Sequence, residues 1–177
     1  MNNILLTGEI QVGKSTIINK ICSLFGDSAQ GFHTIAFAND EPDTDSLFIL
    51  PYHINEPSFD DKPFAIRNKK SRERFAFPEV FDKCGVEILS EAKDNPKTKL
   101  IIMDELGFFE NDAKLFQEKV IECLSGKLPV LGVIKPRSTE FLDRIRNLSN
   151  VNVITVNEEN RDKISLELSQ EIAKTLL

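Results

Sequence analysis

Apolar residues recur along this chain in two alternating rhythms. Short unbroken runs at Asn3 to Thr7, Leu100 to Met103 and Pro129 to Ile134 predict strands buried on both faces, and Val151 to Val156 predicts another strand. Between them run segments of helical period. Lys14 to Phe25 places Ile17, Ile18, Ile21 and Leu24 on one face, and Thr139 to Leu148 turns Phe141, Leu142, Ile145 and Leu148 inward. Asn111 to Leu124 and Asn160 to Leu176 predict two more helices. Pro78 fits the first position of a helix through about Ala92, where its missing N–H costs nothing. Gly31 to Ala38 and Ser46 to His53 predict consecutive strands, joined by an acidic turn from Asn39 to Asp45 that holds Pro42. Asn55 to Phe77 follows neither rhythm, and the basic stretch Arg67 to Arg74 within it predicts a solvated surface loop.

Strand and helix alternate through most of the chain. That order predicts an α/β fold, a largely parallel sheet with helices on both faces, and the two consecutive strands predict an antiparallel extension at one edge. No repeat, linker or low-complexity tract divides the sequence, so residues 1–177 are expected to form a single domain.

Composition narrows the partners. The net charge of −6 makes DNA or RNA an unexpected partner, because general nucleic-acid binders are basic. Cys22, Cys84 and Cys123 are far apart and odd in number, which predicts reduced thiols and a cytoplasmic protein. The apolar run Ile4 to Leu6 is too short for a signal peptide or a membrane span. Phenylalanine occurs 13 times and is expected to fill the core.

Chemistry enters at Gly8-Glu9-Ile10-Gln11-Val12-Gly13-Lys14-Ser15, which satisfies G-x-x-x-x-G-K-[ST] between a predicted strand and a predicted helix. The glycines let successive backbone N–H groups surround phosphate oxygens, and the helix turns its positive end to the same anion. Lys14 is expected on the β- and γ-phosphates and Ser15 on Mg²⁺, with Thr16 beside them. Glu9 must face solvent, since a carboxylate turned inward would repel phosphate. The second acidic site is Asp104-Glu105, at the carboxyl end of the apolar run from Leu100. Asp104 is the candidate for orienting Mg²⁺, and Glu105 for polarising the attacking water. The competing reading is that Glu105 merely caps the next helix. No Asn-Lys-x-Asp guanine-reading motif is present.

With these sites placed, the chain resembles the cancer-related nucleoside-triphosphatase family in its bacterial form. The resemblance runs through the P-loop, Gly31-Phe32-His33-Thr34, Phe77-Pro78-Glu79-Val80-Phe81-Asp82 and Asp104-Glu105-Leu106-Gly107, with Glu110 shortly after. It ends with Gly132-Val133-Ile134-Lys135 and Glu159-Asn160-Arg161-Asp162. Glu9-Ile10-Gln11 departs from the Arg/Pro-rich loop centre associated with the family. The resemblance implies slow hydrolysis of ATP, GTP and other nucleoside triphosphates. It also implies a RecA-like sheet, in which an extra strand separates the P-loop strand from the Asp-Glu strand.

Weaker candidates remain. Lys135, at a predicted strand end, is a candidate for the γ-phosphate, with Arg137 behind it. Asn160 and Arg161 are candidates for base or ribose contacts, against helix capping and a surface ion pair. Arg72 or Arg74 is a candidate for acting on the leaving diphosphate, and Thr34 for the edge of the cleft. His33 and His53 are read as structural. The expected chemistry is Mg²⁺-dependent hydrolysis of a nucleoside triphosphate. The alternatives are a nucleoside or nucleotide kinase, and a nucleotide-dependent switch acting on a protein or RNA partner that the sequence does not name.

Overall fold

The computed structural model describes residues 3–176; Met1, Asn2 and Leu177 of the expected domain lie outside the described residues. One sheet of eight strands organises the chain, in the order β5-β4-β3-β2-β6-β7-β1-β8. The strands are β1 (Asn3–Thr7), β2 (Ala29–Ala38), β3 (Thr44–Pro51), β4 (Ala65–Asn68), β5 (Arg74–Ala76), β6 (Leu100–Leu106), β7 (Val130–Ile134) and β8 (Val151–Thr155). From β2 through β6, β7 and β1 to β8 all pairs are parallel. β3, β4 and β5 extend the sheet antiparallel from β2. Placement of β7 between β1 and β6 is the inserted-strand order that the resemblance implies.

Parallel central strands are buried on both faces, which is why Leu5, Leu6, Ile101, Ile102 and Leu131 have essentially no exposure. One apolar layer packs α1 (Lys14–Phe25) and α6 (Arg161–Leu176) on the sheet through Ile17, Ile18, Ile21, Ile164 and Leu168. The opposite layer holds α2 (Pro78–Val80), α3 (Val86–Asp94), α4 (Lys114–Leu124) and α5 (Glu140–Arg146). Its centre is aromatic: Phe32, Phe64, Phe81 and Phe116 stack in a continuous run of ring contacts 4.5–5.5 Å apart. Phe141 is buried in the same layer, but not every phenylalanine fills the core, for Phe59 and Phe75 are exposed.

Several boundaries differ from the sequence expectation for local reasons. The helix expected from Pro78 to Ala92 continues to Asp94 and is widened at Phe81–Gly85 into a π-helical turn. Gly85 there packs on Phe116, whose ring would lie 2.6 Å from any β-carbon at that position. The helix expected from Asn111 begins at Lys114. A 3-10 turn over Phe109–Asp112 precedes it, tied down by Gln117, whose side-chain amide donates to the carbonyls of Glu110 and Asn111. Thr139 caps α5, its hydroxyl accepting from Leu142 N–H at 3.2 Å.

The largest correction concerns the basic stretch. Arg67 to Arg74 is not a surface loop but the turn and flanks of the β4–β5 hairpin, with Arg67 paired to Arg74. Lys69, Lys70, Ser71 and Arg72 at its tip are exposed. Arg67 and the exposed Lys69 both reach back to the buried Asp45 of β3, each at 3.0 Å. Those two cations hold the Asp45 carboxyl below the usual range, Lys69 most strongly. These strands are four and three residues long, too short for alternation to declare them.

Candidate active site

The site forms at the carboxyl ends of β1, β6 and β7, the position where open α/β sheets take their ligands. β1 ends at Thr7 and the chain curls through residues 8–13 before α1 begins. Gly8 is required there: its φ is +131°, and a β-carbon would lie 2.2 Å from the Val156 carbonyl oxygen. Gln11 also adopts a left-handed conformation, φ 66°, which helps turn the loop amides toward one centre. Val12 is buried in the layer beneath α1 and so anchors the loop from below, its side chain turned away from the cavity. Glu9, Ile10 and Gln11 are exposed at the rim of the cavity. The Lys14 ammonium folds back over the loop and donates to the Gly8 and Glu9 carbonyls at 2.9 and 2.5 Å.

Opposite the loop, β6 carries Asp104 and Glu105. Consecutive strand residues ordinarily face opposite sides. Here the β6–β7 register breaks between Met103 and Leu106, and this irregularity lets both carboxylates line one cavity. Burial pushes the Asp104 carboxyl up to about 6, helped by the Glu105 charge and opposed by a Ser15 hydrogen bond and by Lys14. Glu105 is ion-paired to Lys135 at 2.7 Å. The competing capping role for Glu105 is therefore not what its side chain does.

One cavity of about 840 Å³ brings together Gly8 to Gln11, Gly13 to Thr16, Thr34, Asp104, Glu105 and Lys135. It also receives residues for which sequence reasoning gave no site role or a lesser one: Arg67, Arg74, Phe108 and Arg137. The Phe108-Phe109 pair just beyond the end of β6 is a sequence signal that could have singled out Phe108, whereas nothing local marks the three arginines as its neighbours. Glu110 is fully enclosed behind this wall; its Oε1 accepts from Gly107 N–H at 3.0 Å, and its Oε2 has no hydrogen-bond partner. Burial pushes the Glu110 carboxyl up to about 7.

Asn160 is not brought into the cavity. Its side chain ties the loop before α6, accepting from Asn157 N–H at 2.8 Å and donating to the Thr155 carbonyl at 3.0 Å. Arg161 opens α6 close to the phosphate loop, its Cδ 3.4 Å from where a Gly13 β-carbon would stand. His33 bonds the Ile54 carbonyl at 2.6 Å through Nε2, and the three cysteines are unpaired thiols.

Ser15 and Asp104 offer a hydroxyl and a carboxylate, hard oxygen donors suited to a divalent cation that keeps most of its water. Among the described residues no group of three His, Cys, Asp or Glu side chains could hold a metal. A metal here must therefore complete its shell from water and substrate. Among the described residues no helix is long and apolar enough to cross a membrane.

A glycine-bounded phosphate loop facing a strand-end Asp-Glu pair, with one strand inserted between them, defines a P-loop nucleoside-triphosphatase of the RecA-like class. Residues 3–169 match the family model described as NTPase, and the chain belongs to that family. It is 27% identical to the nucleoside-triphosphatase THEP1 of Natranaerobius thermophilus, over 99% of this chain and 98% of that protein. It is 30% identical to the THEP1 of Aquifex aeolicus, over 91% of this chain and 93% of the relative. The crystal structure of THEP1 from Aquifex aeolicus superposes with a TM-score of 0.71, covering 95% of this chain and 96% of that one.

Proposed function

We propose that this chain hydrolyses nucleoside triphosphates, ATP and GTP among them, to the diphosphate and inorganic phosphate in a Mg²⁺-dependent reaction within one domain. Similarity to proteins named nucleoside-triphosphatases along nearly the whole chain supports the activity. The observation that carries the assignment of residues is that Lys14, Ser15, Asp104 and Glu105 line a single cavity.

In this reading the loop amides of residues 8–15 and the Lys14 ammonium bind the triphosphate. Lys14 exchanges its two carbonyl acceptors for phosphate oxygens. Ser15 and Asp104 would hold Mg²⁺, which when bound offsets charge on the β- and γ-phosphates. Lys135 leaves Glu105 for a γ-phosphate oxygen, a stronger concentration of charge than one carboxylate. Glu105, released, accepts a proton from the attacking water as the new O–P bond forms and the bond to the β-phosphate oxygen breaks. Positioning and electrostatics supply the acceleration, with no covalent intermediate on the protein.

Glu105→Gln tests this division of labour. Nucleotide affinity should change little, while phosphate release should fall about 100-fold or more, as general-base loss does. Full activity in that variant would remove Glu105 from the mechanism.

A further inference from the structure

Charge along the cavity wall is unevenly balanced. Arg67 is neutralised by Asp45 and Lys135 by Glu105. Arg74 and Arg137 are not: among the described residues neither has an ion-pair partner. Both nevertheless converge on one ring. The guanidinium carbon of Arg137 lies 4.7 Å from the Phe108 centroid and that of Arg74 lies 5.3 Å away, with the Lys135 ammonium at 5.5 Å.

These cations come from distant parts of the chain. Arg74 stands on β5 at the sheet's far edge, and Arg137 follows β7 near its middle. Like charges gathered at one ring repel, and a cation–π contact at an exposed site returns little against that repulsion. The arrangement gains its balance from an anion. The ring that gathers them is itself fixed: Phe108 packs on Phe109 at 4.4 Å, Phe109 on Phe64 at 5.6 Å, and Phe64 continues into the buried aromatic run. An aromatic hub held by the core and presenting two uncompensated guanidinium groups is a preorganised electrostatic device.

Its place says which anion. Phe108 lies three residues beyond Glu105, and Arg137 two beyond Lys135. Glu105 and Lys135 are the groups that meet the terminal phosphate in the hydrolytic reading, and this step rests on that reading. We infer that Arg74 and Arg137, gathered by Phe108, form a clamp from within the same chain that grips the γ-phosphoryl group in the transition state and holds inorganic phosphate before it leaves. Arg74 and Arg137 are then catalytic residues supplied by the chain itself rather than by a partner, and Phe108 is a positioning residue.

The test compares wild type, Lys14→Ala and the double variant R74A/R137A, whose altered side chains are exposed. Steady-state phosphate release, binding of labelled ADP, and trapping of ADP with aluminium fluoride and Mg²⁺ are measured on each. For the double variant kcat should fall about 100-fold or more, the scale of a missing arginine on a transferring phosphoryl group, with KM and ADP affinity within about threefold. The aluminium fluoride trap and product inhibition by inorganic phosphate should both be lost. Phe108→Leu should lower kcat and Phe108→Tyr should restore it. A double variant with wild-type kcat and an intact trap overturns the clamp, as does a rise in KM at constant kcat. Phosphate delivered to an added nucleoside monophosphate instead of water would assign the cluster to an acceptor and also overturn it. Wild type no more active than Lys14→Ala would instead sink the hydrolytic reading itself, so the two failures are distinguishable.

Discussion

Glu110 shows how a carboxyl group outside the reaction can still shape the wall of the site. It is enclosed, bonded through one oxygen to Gly107 N–H, and left without a partner on the other. Burial raises its carboxyl from an ordinary 4.5 to about 7, with Lys135 opposing and Glu105 adding to the rise. The folded protein therefore holds this proton more tightly than the unfolded chain does. Its contribution is fully present below the unfolded value of 4.5 and is lost as pH rises through about 7. Glu110→Gln removes the titration, so its stability relative to wild type should improve between pH 5 and pH 8 by on the order of 3 kcal/mol. Urea unfolding of the nucleotide-free protein at the two pH values measures this, and an equal difference at both would contradict it. Of such single residues, the sequence made Lys14, Ser15 and Asp104 legible because the phosphate loop dictates residue type at fixed spacing. It did not reveal the Glu105–Lys135 pair or the company of Phe108, since those depend on which strand ends become neighbours.

Gly31 illustrates what the strands demand of one another. It lies in β2 with φ at +138°, and a β-carbon there would stand 2.1 Å from the Ile102 carbonyl oxygen on β6. Gly31→Ala should force β2 from β6, the pair that brings Thr34 and Asp104 to the cavity, at a cost of about 3 kcal/mol or more. A urea midpoint equal to that of wild type would show that the sheet can absorb the methyl group. The long apolar runs and helical faces were readable because a strand buried on both faces and an amphipathic helix each impose a strict rhythm. The β4–β5 hairpin was not: its strands are short, its inward residues are few, and the Asp45 that holds Arg67 lies 22 residues earlier in the sequence, on β3. That omission matters, because the hairpin delivers Arg67 and Arg74 to the cavity wall.

For the molecule as a whole, the order of strands decides the chemistry. With β7 between β1 and β6, the phosphate loop and the Asp-Glu pair face each other across one strand, and Lys135 at the end of that strand stands between them. Alternating strands and helices announced the parallel α/β layers. The inserted strand was expected only from the resemblance to a family, because strand order follows from long-range packing that local periodicity does not encode. The most direct measurement is phosphate release by the purified chain from a panel of nucleoside triphosphates, with Mg²⁺ present and chelated, beside Lys14→Ala as the blank. Release from ATP and GTP that vanishes on chelation and in Lys14→Ala is the expected result. Release no faster than the blank with every nucleotide would contradict it.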